Sequence, residues 1–440
     1  MAITATKETA IFHRSLSKKY DVAAGGDGIY VVHADGSKTL DGCCGAAVSC
    51  LGHSHPVVID AIVQQAKQLS FAHTSIFTSS PAEELASLLI DNSDGAFSNV
   101  MFLSSGSEAI ESAIKLARQY HISNNDHERI NFISRKYAYH GNTLGALSAG
   151  YNPPRRQAFE PMLSPAFHHV SPCFYSRDGK QGETESQYVD RLIKEYEDMF
   201  QGLGPQTVAA IMIETLSGAT LGAVTPAKGY LPRLREVCDK YGALLLFDEV
   251  MCGMGRTGDV HAWQSLGGTA PDLQTIGKGL GGGYQPISAI LVGEKVHKVI
   301  QAAQTDHPFV SGHTYQGHAI GCAAALATQQ VIQQDNLLGN VKAMGGIMEQ
   351  DLRQRCPVLK EVRGMGLFKA MEFVSPDGTP MAGEVTKTCL SNGLAVYLCS
   401  PATDSVLFAP PFIISEEQVR EMVDIFVRSV QQVLKGRASS

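Results

Sequence analysis

Short apolar segments alternate with amphipathic ones through the middle of this 440-residue chain. Residues 208–213 and 243–247 carry only apolar side chains, the pattern of strands that are buried on both faces. Between them, apolar residues recur at helical spacing from Leu231 to Tyr241, and Gly242 ends the segment. This alternation predicts an α/β fold with a mostly parallel sheet flanked by helices.

Polar residues follow several of these apolar segments. Residues 100–103 run into a Ser/Gly corner, after which a helical pattern begins, and further strands are expected before residue 277 and at 287–292. Ligands of such sheets bind beyond the carboxyl ends of the strands. The predicted strand ends carry Ser105, Ser107, Glu214, Asp248 and Lys278. We therefore predict the functional site at that edge of the sheet.

The pattern changes beyond about residue 330, where helices and isolated strands near 365–373 and 394–396 precede a final helix at 415–433. A hairpin is predicted from Gly28 to Leu40, with its turn at Asp35-Gly36. We predict a large domain at 61–330 and a small α+β domain at 331–440. The N-terminal segment, 1–60, is expected to join the small domain.

Composition narrows the class of protein. The net charge of −7, without a long Lys/Arg run, argues against nucleic acid as a partner. No apolar run reaches the roughly 18 residues of a membrane span, and residues 1–13 lack the apolar segment of a secretory signal. The ten cysteines contain no C-x-x-C pair, so neither a disulfide framework nor a metal site is indicated. We expect a soluble, cytoplasmic protein.

One glycine motif could suggest a dinucleotide site. Residues 253–258 fit G-x-G-x-x-G, and Asp272 lies about where a ribose-binding acid would stand. However, the preceding strand ends in Asp248-Glu249, which would direct carboxylates at a pyrophosphate, and no long helical pattern follows. We reject this interpretation, and Gly277-Lys278-Gly279 likewise lacks the other residues of a P-loop.

A different set of residues points to pyridoxal phosphate chemistry. Gly106 and Ser107 offer a phosphate cradle at a helix N-terminus, although Ser107 could instead be only an N-cap. Asp248 ends an apolar strand and needs a partner once buried. Lys278, between two glycines, could form a Schiff base or be an ordinary solvated lysine. With Tyr139 as an aromatic stacker, these are the parts of a pyridoxal phosphate site.

The sequence resembles the class III (ω-type) aminotransferases, which are fold type I pyridoxal 5'-phosphate enzymes. The resemblance extends from Gly28 to about Val433. It is carried by LGHSHP (51–56), SGSEA (105–109), YHGNT (139–143), FDEV (247–250), GRTG (255–258), GKG (277–279), HTY (313–315) and APP (409–411). It implies a large domain with a mostly parallel sheet and a small α+β domain built from both termini.

The resemblance also implies roles for individual residues. Lys278 would be the Schiff-base lysine and the proton shuttle, and Asp248 would pair with the pyridinium nitrogen. Tyr139 and Val250 would contact the two faces of the ring. The remaining cofactor-binding residues would be Ser105, Gly106, Ser107, His140, Glu214 and Thr314.

The assignment of Thr314 has an implication for how subunits assemble. Thr314 would reach the phosphate of the neighbouring subunit's cofactor, which implies a homodimer with shared active sites. His140 and Arg256 also match family positions, but a structural role is equally compatible with them.

The chain departs from the family where substrate carboxylates are bound. Many members place an arginine just before the APP segment, but here that position is Leu407, and residues 397–404 contain no arginine. Glu214 would then lose the partner that such an arginine provides. Either another basic residue substitutes, or the substrate lacks an α-carboxylate. The substrate pocket is expected to contain the following residues: Cys43, Ala46, Phe77, Tyr139, Leu398 and Cys399.

We predict an aminotransferase that moves an amino group from an amine or amino acid donor to a carbonyl acceptor by a ping-pong mechanism. A racemase or epimerase with the same cofactor is the alternative. Decarboxylation is disfavoured because Ala46 replaces the glutamine that relatives use for it. A non-catalytic binding protein is a third possibility, against which the intact Lys278 and Asp248 argue.

Overall fold

The computed structural model describes residues 9–375 and 377–438. Residues 1–8, which belong to the predicted N-terminal segment, lie outside the described residues.

The strands are short and occur along the whole described chain. They are β1 (Ala23–Asp27), β2 (Tyr30–His33), β3 (Lys38–Asp41), β4 (Asn99–Leu103), β5 (Asn131–Arg135), β6 (Phe167–Val170), β7 (Val208–Glu214), β8 (Leu244–Asp248), β9 (Leu273–Ile276), β10 (Ser288–Val292), β11 (Leu359–Met365), β12 (Phe368–Phe373), β13 (Leu394–Ala395), β14 (Tyr397–Leu398) and β15 (Ser405–Phe408).

The helices range from single turns to more than twenty residues. They are α1 (Cys44–Ala47), α2 (Pro56–Gln68), α3 (Ser80–Asp91), α4 (Gly106–Ser123), α5 (Leu144–Ala149), α6 (Pro153–Arg156), α7 (Tyr175–Asp178), α8 (Glu185–Leu203), α9 (Tyr230–Tyr241), α10 (Ala262–Ser265), α11 (Glu294–Ala302), α12 (Ala319–Gln334), α13 (Leu337–Arg355), α14 (Ala382–Ser391) and α15 (Glu416–Ala438). Within the described residues, none of them combines the length and apolar composition needed to cross a membrane.

The central sheet has the strand order β4-β10-β9-β8-β7-β5-β6. Strand β10 runs antiparallel to both of its neighbours, and the pairs from β9 to β6 are parallel. Every residue of β7, β8 and β10 is buried, which explains why these strands appear as uninterrupted apolar runs. The predicted mostly parallel sheet is confirmed.

Successive residues of the central strands pack against helices on opposite faces of the sheet. Ile213 and Phe247 pack on the side of α8 and α9. Met212 and Leu246 point to the opposite face, where they join the core formed with α4. Because side chains alternate along a strand, a strand covered on both faces has no position for an exposed polar residue until it ends. Polar side chains therefore collect at the strand ends.

Both ends of the chain build the smaller part of the molecule. The predicted hairpin is present as β2 and β3, and β3 pairs in parallel with β13 through Leu40 and Leu394. A second sheet has the order β11-β12-β15-β14 and is antiparallel. This architecture confirms the predicted fold class, with its small α+β part drawn from both termini. The predicted domain boundaries stay predictions.

One strand of a hairpin was missed in the sequence. The strand predicted around 365–373 is present as β12, but it is preceded by β11, and the chain turns at Gly366 and pairs the two as a hairpin. Gly366 has a φ of +50°, a conformation that glycine adopts without steric cost. A single glycine inside an apolar run was the only local signal for this turn.

Two adjacent glycines on α13 provide a test of this packing. A methyl group on Gly345 would lie 2.2 Å from the carbonyl oxygen of Gly366, whereas Gly346 is exposed and faces open space. Gly345→Ala should lower the free energy of unfolding by roughly 1–3 kcal/mol through overpacking. Gly346→Ala should raise it by up to about 1 kcal/mol, because alanine is the better helix former.

The apparent melting temperatures of the two variants and of the wild type measure these effects. Equal shifts in the same direction would contradict the close contact between α13 and the β11–β12 turn.

Candidate active site

A cavity of about 580 Å³ lies beyond the carboxyl ends of β7 and β8. All but one of the residues predicted to bind the cofactor line it: Ser105, Gly106, Ser107, Tyr139, His140, Glu214, Asp248, Val250 and Lys278. They come from separate strands, loops and the first turn of α4, so the fold brings together what the sequence disperses.

Strand register places the acidic groups side by side. Glu214 and Asp248 end β7 and β8 and are paired across the two parallel strands. Asp248 is also paired with Thr275 of β9, and Lys278 follows that strand after a single glycine. Three consecutive strands of the sheet therefore deliver two carboxylates and one amine to the same cavity.

Asp248 is buried and accepts hydrogen bonds from three donors. Its Oδ2 lies 2.8 Å from Nδ1 of His140, and its Oδ1 accepts hydrogen bonds from the Val250 backbone N–H at 3.0 Å and from Thr275 Oγ1 at 3.4 Å. A carboxylate only accepts hydrogen bonds, so Nδ1 of His140 carries the hydrogen. Asp248 is thus held as an acceptor, and His140 touches Asp248 directly.

Glu214 is not left without a partner, contrary to the expectation from the sequence. Its Oε1 accepts a hydrogen bond of 2.8 Å from the backbone N–H of Gly218, and its Oε2 accepts one of 3.4 Å from that of Tyr139. Burial raises the pKa of the Glu214 carboxyl group above its ordinary value. Backbone amides leave no trace in a residue pattern, which is why sequence reasoning missed them.

Lys278 has both an unusual backbone and an unusual charge environment. Its φ is +45°, in the left-handed region that residues other than glycine rarely occupy. Desolvation by the surrounding protein lowers the pKa of its ammonium group to about 8, although the nearby Asp248 and Glu214 act in the opposite direction. A lysine with this pKa is partly neutral near physiological pH and can act as a nucleophile.

The first turn of α4 has free hydrogen-bond donors that suit an anion. Ser105, not Ser107, caps the helix: its side chain accepts a hydrogen bond from the Glu108 backbone N–H at 3.2 Å. Ser107 Oγ accepts a hydrogen bond from the Asn142 N–H at 3.0 Å, and its own hydrogen can be donated to a ligand. The Gly106 and Ser107 N–H groups have no acceptor among the described residues. Free N–H groups at a helix start bind phosphate.

Glycine is required at the start of this helix. A Cβ on Gly106 would lie 2.8 Å from Cγ1 of Val250, so any larger residue would displace the side chain predicted to contact the cofactor ring. Together with the Asp248 carboxylate and the Lys278 amine, the cradle fits pyridoxal phosphate, which needs an anion site, an acid and an amine.

Thr314 is the predicted residue that does not line the cavity. It is exposed and lies in the loop before α12, where the neighbouring His313 hydrogen-bonds Ser112 at 3.2 Å. Its role toward a neighbouring subunit stays a prediction.

The predicted substrate pocket is correct only in part. Ala46, Leu398 and Cys399 line the cavity with Tyr139, but Cys43 and Phe77 do not. Cys43 is buried beside Asp41, and the Phe77 side chain is 64% exposed on the surface of this chain. In their place the structure brings two residues that no motif marked, Arg14 and Arg155.

The rejected dinucleotide motif forms a turn. After Gly258 the chain makes only the four-residue helix α10, in agreement with the rejection. Arg256 is fully buried, donates from Nη1 to the carbonyls of Leu367 and Pro410, and lies 4.5 Å from the Phe412 ring centroid. Its role is therefore structural. Among the described residues, no group of three or more His, Cys, Asp or Glu could hold a metal ion.

Comparison with known proteins agrees with this geometry. The family described as "Aminotransferase class-III" matches residues 15–430, so the chain belongs to the class III aminotransferases. An uncharacterised aminotransferase of Schizosaccharomyces pombe is 40% identical over 440 residues, covering 96% of this chain and 95% of the relative. The diaminobutyrate–2-oxoglutarate transaminase of Halomonas elongata is 33% identical and covers 94% and 90%.

A solved structure shares the fold. The ω-transaminase of Pseudomonas jessenii in complex with PMP superposes with a TM-score of 0.90 at 31% identity, covering 94% of this chain and 93% of the other. The chain is thus an aminotransferase that uses pyridoxal phosphate, as predicted. These relatives support transamination and not the racemase alternative.

The lowered pKa of Lys278 predicts how the rate at which the cofactor-free protein binds pyridoxal phosphate depends on pH. Only the neutral amine attacks an aldehyde, so the capture rate should rise about tenfold per pH unit below pH 8 and level off above it. Stopped-flow absorbance after mixing with pyridoxal phosphate from pH 6.5 to 10.5 measures this profile. Lys278→Arg is the control for capture at other lysines. A rate that still climbs above pH 10 would mean an ordinary lysine.

Proposed function

We propose that Lys278 is the attachment point of the cofactor aldehyde and the group that moves the proton during amino transfer. Asp248, held by His140, would keep the pyridine nitrogen protonated, and Gly106 and Ser107 would bind the phosphate. The observation that carries this proposal is the meeting of the Lys278 amine, the Asp248 carboxylate and the free N–H groups of α4 in one cavity.

The chemistry follows from these side chains. Bound pyridoxal phosphate supplies an electron sink that stabilises negative charge on the substrate carbon. With the donor amine in place of Lys278, the neutral Nζ would accept the proton from the donor carbon and hold it as the acid that completes the transfer. Water would release the oxo product. With a carbonyl acceptor Nζ would move the proton in the opposite direction, which gives a ping-pong reaction.

Asp248 is positioned by three donors. His140, Val250 and Thr275 each give a hydrogen bond to its side-chain oxygens. Glu214 is paired with Asp248 across the two strands, but its carboxyl group accepts hydrogen bonds from backbone amides. The two carboxylates therefore have different tasks: Asp248 would pair with the bound cofactor, and Glu214 holds the loops that carry Tyr139 and Gly218.

We propose an amine or amino acid as the donor and an oxo compound as the acceptor. The Halomonas elongata relative is named for diaminobutyrate and 2-oxoglutarate, and the Pseudomonas jessenii neighbour is named an ω-transaminase. Both names support amino transfer, and the first names an amino acid and an oxo acid as its substrates.

We further propose a homodimer with shared active sites. Large apolar side chains are exposed on α2 and on the loops that follow it, including Val57, Phe71 and Phe77. Val310 and Tyr315, which flank Thr314, are exposed as well. Exposed apolar surface of this extent is typical of interaction sites. A second copy covering it would place Thr314 at the interface, where the resemblance puts it.

We place the enzyme in the cytoplasm. All ten cysteines are free, buried thiols, which suits a reducing compartment. Fractionation of the cells that produce the protein tests this location.

The Lys278 role predicts the effect of two substitutions. Lys278→Ala should lower the amino transfer rate by more than about 10³-fold, because both proton transfers lose their carrier. Asp248→Asn should retain bound cofactor and lower turnover by roughly 10²-fold or more, because the amide cannot hold the pyridine nitrogen protonated. Absorbance of the cofactor during a half-reaction with single donors measures both. Wild-type transfer by Lys278→Ala would contradict the proposal.

The shared-site proposal is tested with mixed dimers. A dimer of one Lys278→Ala chain and one Thr314→Ala chain would contain one site with both residues intact if Thr314 serves the neighbouring subunit. Such a dimer, isolated through two different affinity tags, should show about half of the wild-type activity and cofactor content.

If Thr314 served its own chain, neither site of the mixed dimer would be intact. Activity no higher than half of that of the Thr314→Ala homodimer would then contradict the proposal.

A further inference from the structure

The substrate carboxylate has no cation at the position where the family resemblance would place one. Leu407 is completely buried and packs with Phe368 and Ala370, and it is not among the residues that line the cavity. The side chain at position 407 therefore brings no charge to the cavity.

Two other cations reach the cavity besides Lys278. Arg155, on the short helix α6, and Arg14, in the N-terminal segment, both line it. The guanidinium carbon of Arg155 lies 5.1 Å from the centroid of the Tyr139 ring. Arg155 is thus fixed over an aromatic residue that also lines the cavity, within reach of a molecule that occupies it.

Arg155 has no carboxylate partner among the described residues. Within residues 9–375 and 377–438, no carboxylate forms an ion pair with Arg155 or Arg14. The acidic groups that line the cavity are engaged elsewhere, Asp248 with His140 and Glu214 with the amides of Gly218 and Tyr139. The positive charge of Arg155 is therefore available to an anion.

Arg156, the next residue along the chain, does have a carboxylate partner. Arg156 forms a two-pronged ion pair with Glu160, with both N···O distances at 3.0 Å, and it also donates to the carbonyl of Gly150. Its guanidinium lies 4.9 Å from the Tyr151 ring centroid. Of two adjacent arginines, one completes the protein structure and the other remains free at the cavity.

We propose that Arg155, assisted by Arg14, binds the carboxylate of the substrate, so that the donors and acceptors are amino acids and oxo acids. This inference rests on the proposed aminotransferase function and names its substrate class. A guanidinium can hold a carboxylate through two parallel hydrogen bonds, and an uncharged amide of the same shape cannot replace it. The enzyme therefore distinguishes a carboxylate substrate from its amide.

The test compares 4-aminobutanoate with 4-aminobutanamide, and L-alanine with L-alaninamide, in half-reactions followed by cofactor absorbance. The wild type should react faster with each acid than with its amide. Arg155→Gln should lower the second-order rate constant for the acids by roughly 10- to 100-fold and leave the amides within about threefold. Arg155→Lys should fall between, since it keeps the charge but not the two-pronged geometry.

Three controls separate this role from a structural one. Arg428→Gln removes an exposed arginine of α15, outside the cavity, and should change neither substrate class. The cofactor spectrum and melting temperature of Arg155→Gln should match the wild type. Butanoate, which carries no amine, should inhibit the wild type at least about tenfold more strongly than Arg155→Gln, and rising ionic strength should weaken that inhibition.

The outcomes are distinguishable. A wild type that reacts equally well with acids and amides, or an Arg155→Gln variant that loses both equally, overturns the role of Arg155 while leaving the aminotransferase proposal intact. A wild type whose cofactor responds to none of these donors, nor to a wider panel of amines and amino acids, overturns the proposed function itself.

Discussion

The carboxyl group of Asp248 lies at the end of a strand whose other residues are all apolar and buried. Burial of an unpaired carboxylate would cost several kcal/mol, so the fold has to supply donors. It does so from three directions: His140 from the loop after β5, Val250 from the loop after β8, and Thr275 from β9. Satisfying one carboxylate thus fixes the loops that form the walls of the active site.

Much of this arrangement follows from the residue pattern. Strands β7 and β8 are buried on both faces, so their sequences are continuous apolar runs, and the first polar residue marks the strand end. Glu214 and Asp248 were placed in this way, and Lys278 was located by the Gly-Lys-Gly segment at which the short strand after Asp272 stops. The identity of the cofactor then followed from the combination of groups together with the family resemblance. Parallel strands and short loops leave little freedom in how such ends are aligned.

The contacts that escaped prediction have other origins. The partners of Glu214 are backbone amides, which every residue possesses and no pattern reveals. Ser105 rather than Ser107 caps α4 because the helix already begins at Gly106, and a Ser-Gly-Ser corner offers either serine as the cap. Arg155 stands next to an equally basic residue, and only the three-dimensional position of Glu160 decides which arginine is free. Phe77 was assigned to the pocket but lies on the surface of this chain, where only a second copy could bring it close to a site.

The parallel pairing of β3 with β13 has a consequence for how the chain is made. The central sheet uses strands between Asn99 and Val292 and can form while synthesis continues. One edge of β3 stays unpaired until residues 394–395 have been synthesised. Tyr30 likewise donates a hydrogen bond to Glu421, which lies 391 positions further along the chain. Contacts between such distant residues form late because long loops must close first. The N-terminal strands are therefore the part of the nascent chain that most needs protection from other unpaired edges.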